Sequence, residues 1–271
     1  MKLQRKADLA TIGGLVVALG GIVGGLILEG GSIKDIGQFT AGLIVLGGTL
    51  GAVMVNTPMD LLKRAGKRLI AVFLYTPVAP SQIAEEIIGF ATKARKNGIV
   101  SLEHDAAEIQ DPFLRKALNL AIDGADLQEL RNMMELEISL EEHHVEAEAK
   151  VFESAGGYSP TIGIIGAVMG LIQVMKHLAN IDEVGKGIAV AFVATVYGVA
   201  VSNLFFLPVA SKIKARAHEE TERRELILEG VVGIVEGLNP KLIRTKLEIY
   251  ARHQPIAAGS KSVEAPSEKA A

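Results

Sequence analysis

The side chains of this chain that have the types and spacing for chemistry fall in a few places. Glu141, His144 and Glu148 recur at intervals of three and four, one face of a helix, and such a face can ligate a metal. Nothing converges on it from elsewhere, so a solvated acidic face is the favoured reading. Ser159 precedes Pro160 in the uncharged run SPTIGIIGAVMG, with no His or Asp beside it, which argues against a nucleophile. Thr195, Tyr197, Ser202 and Asn203 are neutral hydrogen-bonding groups in an apolar run, suited to ordering water along a narrow path. Arg95 and Glu103 end one expected helix and open the next, where the helix dipole favours those signs. The chain has no cysteine, which excludes disulfides, zinc-thiolate sites and Cys nucleophiles. It carries no phosphate-loop or dinucleotide-binding fingerprint. Neither a metal site nor an enzyme is expected.

The elements that must position these residues are set by the distribution of charge. Hydrophobic residues make up 49% of the 271 residues, and the net charge of -3 gives no bulk attraction for nucleic acid. Four segments are free of charge: Leu9 to Leu28, Ile36 to Met59, Ser154 to Met175 and Gly187 to Ser211. A helix of about 20 apolar residues crosses a hydrocarbon core of about 30 Å. The fold class is therefore all-α, an integral membrane protein with four transmembrane helices and a helical cytoplasmic domain. The first run is longer than a signal-peptide core and lacks a small-residue cleavage site, so it reads as a retained span. Lys2, Arg5, Lys6, Lys63, Arg64, Lys67, Arg68, Lys212, Lys214 and Arg216 flank the spans on one side, which places both termini in the cytoplasm.

The boundaries follow. Residues 1–57 form a first hairpin with spans at about 9–28 and 36–57, and residues 58–153 a cytoplasmic helical domain. Residues 154–211 form a second hairpin with spans at about 155–176 and 187–210. Residues 212–253 give cytoplasmic helices, and 254–271 a disordered tail rich in small and polar residues. Within the domain, Leu69 to Val78 reads as an interfacial helix or a piece packed under the bundle. Pro77 and Pro80 break the chain, and Ser81 is expected to cap a helix that runs to Asn97 and stops at Gly98. Ser101 is expected to cap the next, Asp111-Pro112 to mark a break, and Asp126 with Glu129 to open a long acidic helix. Leu127, Leu130, Met134 and Ile138 form its apolar stripe.

The span interiors contain no Asp, Glu, Lys, Arg or His. A membrane pump working alone needs an intramembrane ionisable group. If this chain conducts ions, the titrating acid comes from another polypeptide; otherwise its small residues, such as the Gly20/Gly24 and Gly21/Gly25 pairs, only pack helices.

Three blocks resemble the MotA family of flagellar motor stator subunits and its sodium-type PomA relatives: ARKNGIVSLEHDAAEIQDPFLRKALNLAIDGAD, AGGYSPTIGIIGAVMGLIQVM and GIAVAFVATVYGVAVSNLFFLPVASKIKAR. The resemblance runs from about Ala10 to Arg216. It implies a homopentamer in the bacterial inner membrane around a single-span MotB-like partner. That partner supplies an intramembrane Asp, and ion flow drives torque on the rotor protein FliG. By position, Pro160 and Pro208 match the family's hinge prolines, Thr195 a pore-facing hydroxyl, and Arg95 and Glu103 the charges that contact FliG. Sodium-type relatives carry Thr where this chain has Ala167, which favours protons as the transported ion; no cofactor is implied. The alternatives are a sodium-driven stator, or an energy-transducing channel of the ExbB/TolQ type.

Overall fold

A computed structural model describes residues 6–75 and 80–253. The expected tail, Lys2, Arg5 and Pro77 lie outside the described residues. The all-α class holds: the regular structure of the described chain is helical apart from one two-residue pairing of β1 (Lys6–Ala7) with β2 (Leu74–Tyr75). The helices are α1 (Leu9–Leu28), α2 (Ile33–Ile36), α3 (Phe39–Asn56), α4 (Met59–Val72), α5 (Pro80–Asn97), α6 (Glu103–Glu108), α7 (Pro112–Ile122), α8 (Leu127–Lys176), α9 (Ile181–Val235) and α10 (Pro240–His253). Four of them, α1, α3, α8 and α9, are long and apolar enough to cross a membrane.

Contacts divide the chain into two units, residues 1–76 with 140–218 and residues 77–139 with 219–271. In the first unit, α1 begins where expected. The Asp8 carboxylate caps it by accepting from the N–H groups of Ala10 and Thr11 at 3.1 and 3.2 Å. The same carboxylate pairs with Lys212 at 2.9 Å and Arg216 at 2.7 Å. Burial alone would raise the Asp8 carboxyl, but hydrogen bonding from Lys212 and the Thr11 N–H holds it well below the usual carboxylate range. None of the residues of α1 is buried, so its glycines leave an open face on the single chain.

The second span starts at Phe39 rather than Ile36, because Gly37 and Gln38 interrupt the helix after the turn of α2. It contains a π turn at Leu43–Gly47. Its stripe Ala41, Val45, Thr49 and Val53 is buried, with Ala41 and Val45 packing on Val193 and Ala194 of α9. In α4, Ala65 and Val72 are buried and Leu61, Leu62 and Leu69 pack beside them, against Val145, Phe152 and Ala155 of α8 and Ala210 and Ile213 of α9. The apolar piece from Leu69 thus packs under the bundle as the end of α4, and Leu74–Tyr75 continue into the pairing with β1.

Two expected caps differ. The helix to Asn97 already starts at Pro80, a residue suited to a first turn, so Ser81 lies inside it. The Ser101 hydroxyl donates back to Gly98 O at 2.6 Å and caps nothing. Gly98 does stop α5, at φ +83° and ψ 158°, a conformation close to glycine-only. Asp111-Pro112 is a helix start: Asp111 accepts from the N–H groups of Phe113 and Leu114, and Pro112 occupies the first turn of α7. Asp126 caps α8 through the Gln128 N–H at 2.9 Å.

The second unit has its own core. Ile87 of α5, Leu102, Leu114 and Leu118 of α7, Leu130 and Met134 of α8, Leu226 and Val231 of α9, and Leu247 of α10 are buried in one cluster. Leu130, Met134 and Ile138 of the expected stripe are buried and Leu127 packs at its edge. Arg131 to Glu229 at 2.7 Å, and the pair Arg223 to Asp111, tie α9 to α8 and to the start of α7.

Candidate functional site: the seam between the third and fourth spans

The run SPTIGIIGAVMG lies inside α8, which continues through Pro160 without ending. Two features make this tolerable. Glycine in the run lets a second backbone come close, and a neighbouring hydroxyl replaces the donor that proline lacks.

The close approach is continuous along the seam. A Cβ on Gly163 would sit 2.9 Å from Ala194 O, and one on Gly170 would sit 2.8 Å from both Ala191 N and Gly187 O. From the other helix, a Cβ on Gly187 would lie 3.0 Å from Gly170 O, and one on Gly198 would lie 2.6 Å from Ser159 O and 3.2 Å from Pro160 Cα. These neighbours are backbone atoms and cannot swing aside. Glycine at Gly163, Gly170, Gly187 and Gly198 therefore sets the distance between the two spans, as small residues do at membrane helix interfaces.

The missing donor is replaced across the same seam. In an α-helix the N–H of residue 160 would bond Gly156 O, and proline has none. Ser202 Oγ donates to Gly156 O at 2.6 Å, and in the other direction Ser159 Oγ donates to Gly198 O at 3.1 Å. Both serines are buried. Ser202 opens the π turn Ser202–Phe206, which is closed by the Leu207 N–H bonding Ser202 O and followed at once by Pro208. A π turn is a common companion of a helix bend.

The expected site residues take the following places. Pro160, Ala167 and Thr195 are half-buried on the two seam helices, while Pro208 follows the π turn. Thr195 Oγ1 donates to Ala191 O at 3.2 Å, within its own helix. Its donor is spent, and the lone pairs it still presents are acceptors, the kind of group that a cation or a protonated water needs. The other hydroxyls and the amide read as water-ordering groups are committed to protein carbonyls. Tyr197 donates to Ile36 O at 2.5 Å, Asn203 to Val199 O at 2.9 Å and Ser202 to Gly156 O. They brace helices, because a donor left unmade in an apolar span is costly.

Thr195→Val keeps the shape and removes the acceptor. We expect it to slow ion flow about five- to tenfold, roughly the value of one ordinary hydrogen bond. Thr195→Ser should stay near the unmodified rate; equal rates for Val and Ser would remove this hydroxyl from the path.

Arg95 and Glu103 are in the second unit, exposed, in the last turn of α5 and the first turn of α6. The stabilising ion pair between those helices is made by their neighbours, Lys93 with Asp105 at 2.5 Å. That leaves Arg95 and Glu103 directed outward, with no ion pair among the described residues.

Two groups escaped the sequence reading. Glu148 is not on a solvated face: it is buried, and Arg68 of α4 holds it at 2.7 Å, with Arg64 at 3.9 Å. Arg68 also reaches Glu141 at 3.7 Å. Among the described residues no cluster of three His, Cys, Asp or Glu is placed to hold a metal. Thr49 of α3 is buried with no partner for its hydroxyl among the described residues. The signal for Glu148 was present in the Lys/Arg run of α4, whose spacing puts Arg64 and Arg68 on adjacent turns.

Comparison with known proteins gives a consistent picture. Residues 105–226 match the model of the MotA/TolQ/ExbB proton channel family, and residues 12–97 match the motility protein A N-terminal model. Motility protein A of Helicobacter pylori is 37% identical over 243 residues, covering 90% of this chain and 95% of that protein. The solved C. jejuni MotAB structure superposes with a TM-score of 0.87 at 34% identity, covering 92% of this chain and 98% of that one. The flagellar MotAB stator complex from Bacillus subtilis gives 0.83 at 32% identity, over 88% and 94%.

Proposed function

This chain belongs to the MotA family within the MotA/TolQ/ExbB proton channels, and we propose that it is a flagellar motor stator subunit that forms an ion channel with a MotB-like partner. The observation that carries this reading is the chemistry of the spans. Among the described residues, their interiors hold no Asp, Glu, Lys, Arg or His, and the hydroxyl donors of the seam, Ser159, Thr195, Tyr197 and Ser202, are spent on protein carbonyls. A channel wall of this kind conducts protons only if an acid is lent to it, and a single-span partner with an intramembrane Asp supplies one. The seam helices, carrying Thr195 and Ala167, form the wall facing that partner.

The transported ion is the proton, because Ala167 presents a methyl where a sodium site would want an oxygen. Several copies of the chain, five by the family's pattern, surround the partner; the open glycine face of α1 suits packing between copies or against lipid. The membrane is the bacterial inner membrane with both termini cytoplasmic. Asp8, Lys212 and Arg216 meet at one end of the first and fourth spans, where the cationic residues of α4 also gather. Exposed Lys63 and Lys67 there suit lipid phosphates. The ExbB/TolQ alternative is disfavoured by the match of residues 12–97 to the motility protein model.

Arg95 and Glu103 are the rotor contacts, offered to FliG as exposed charges. Arg95→Glu is expected to shrink swimming rings severalfold at unchanged membrane level, and a charge reversal on FliG should restore part of the loss. Failure of every FliG reversal to restore swimming would count against an electrostatic contact.

A further inference from the structure

We propose that Ser202 is a positioning residue that couples the two prolines of the ion path, Pro160 and Pro208. Proline at 160 leaves Gly156 O without its helical donor, and the Ser202 hydroxyl takes that donor's place at 2.6 Å. The group is buried, so the bond is not exchanged for water without cost. Ser202 is also the first residue of the π turn, and its own carbonyl accepts the Leu207 N–H just before Pro208. One residue thus serves the Pro160 site of the third span through its side chain and the Pro208 site of the fourth through its backbone. The return bond from Ser159 to Gly198 O, and the close approach of Gly198 to Pro160 Cα, keep the two helices in register at this point. Any change of helix direction at Pro160 moves Gly156 O relative to Ser202 and is felt at Pro208. As far as it concerns conduction, this rests on the channel function proposed above.

The test is a double-mutant cycle on the full chain purified with its MotB-like partner. Ser202→Ala is made in the unmodified chain and in a Pro160→Ala chain, where the restored backbone N–H of residue 160 can bond Gly156 O itself. Loss of the hydroxyl should lower the melting temperature by about 2–4 °C in the Pro160 background, the effect of one buried hydrogen bond, and by much less in the Pro160→Ala background. Ser159→Ala, whose partner is Gly198 O, should cost the same in both. Failure of Ser202→Ala to assemble in the Pro160 background, with assembly in the other, supports the coupling equally. An equal loss for Ser202→Ala in the two backgrounds overturns it. Ion flux, followed as acidification of vesicles carrying the complex, should fall about fivefold for Ser202→Ala in the Pro160 background, the equilibrium value of one such bond. Unchanged flux there overturns the coupling. Absence of flux from the unmodified complex overturns the channel reading instead, and the melting cycle still reports on the Ser202 contact.

Discussion

Gly198→Leu is expected to abolish swimming and to remove most of the assembled complex from the membrane. The reason is geometric. Even the first carbon of a side chain at this position would lie 2.6 Å from Ser159 O, 3.1 Å from Gly163 Cα and 3.2 Å from Pro160 Cα, all of them main-chain atoms. No rotamer change relieves that, so the third and fourth spans must separate. Separation breaks the Ser159 to Gly198 O and Ser202 to Gly156 O bonds and opens the contacts at Gly163 and Gly170. Overpacking at one buried site costs about 1–3 kcal/mol. Two buried hydrogen bonds add about 1 kcal/mol each, and the total is a large part of an ordinary domain's stability. Gly198→Ala should give a milder form of the same defect. Gly185→Ala, where a Cβ meets no atom within 4 Å, should be neutral in the same membrane-level and swimming assays. A Gly198→Leu complex that assembles and turns normally would show that the seam is not what sets the spacing of the spans.

The second large effect is expected at Arg68. Glu148 is 5% exposed, and Arg68 is the partner that holds it at 2.7 Å. Removing one member of a buried pair strands the other, typically at about 3–5 kcal/mol. Arg68 is itself 36% exposed and Arg64 stands 3.9 Å from the same carboxylate, so solvent and the second arginine reduce the loss. For Arg68→Ala we expect about 1–3 kcal/mol, read as a lower melting temperature of the purified complex. Adding Glu148→Leu to Arg68→Ala should recover much of the loss, because the stranded charge is gone and an apolar side chain suits the cluster around Val145, Ala149 and Phe152. If the double variant melts no higher than Arg68→Ala alone, the pair is not acting as a buried charge and its counterion.

Both predictions concern residues whose roles could not be read locally. The four spans were legible because an uncharged run of spanning length is a one-dimensional signal, and α1 lies where that signal put it. The family blocks likewise pointed to Pro160, Pro208, Thr195, Arg95 and Glu103. The continuity of α8 was not legible. The acidic helix and the third span read as separate segments meeting at 153/154, Gly and Pro are residues a soluble helix avoids, and the group that stands in for the missing donor is Ser202, on another helix. Singly, Ser159 reads as a poor nucleophile and Ser202 as a water ligand, because their carbonyl partners are set by how two spans cross. Glu148 was hidden for the same reason: its sequence neighbours make an acidic face, and only the packing of α4 beside α8 buries it against Arg68. Local caps are legible only where the capping residue carries its own acceptor to the helix start. Asp126 carries its own acceptor to the helix start, whereas Ser101 turned to the Gly98 carbonyl behind it.

The central claim is that this chain builds the wall of an ion path and borrows its charge. The most direct measurement is cytoplasmic pH in cells producing the chain alone, with an unplugged MotB-like partner, or with that partner's intramembrane Asp changed to Asn. The account predicts rapid acidification only with the unmodified Asp, and little change in the other two. Acidification by the chain alone, or undiminished acidification with Asn, would contradict it, since the span interiors would then have to move protons with no Asp, Glu, Lys, Arg or His of their own.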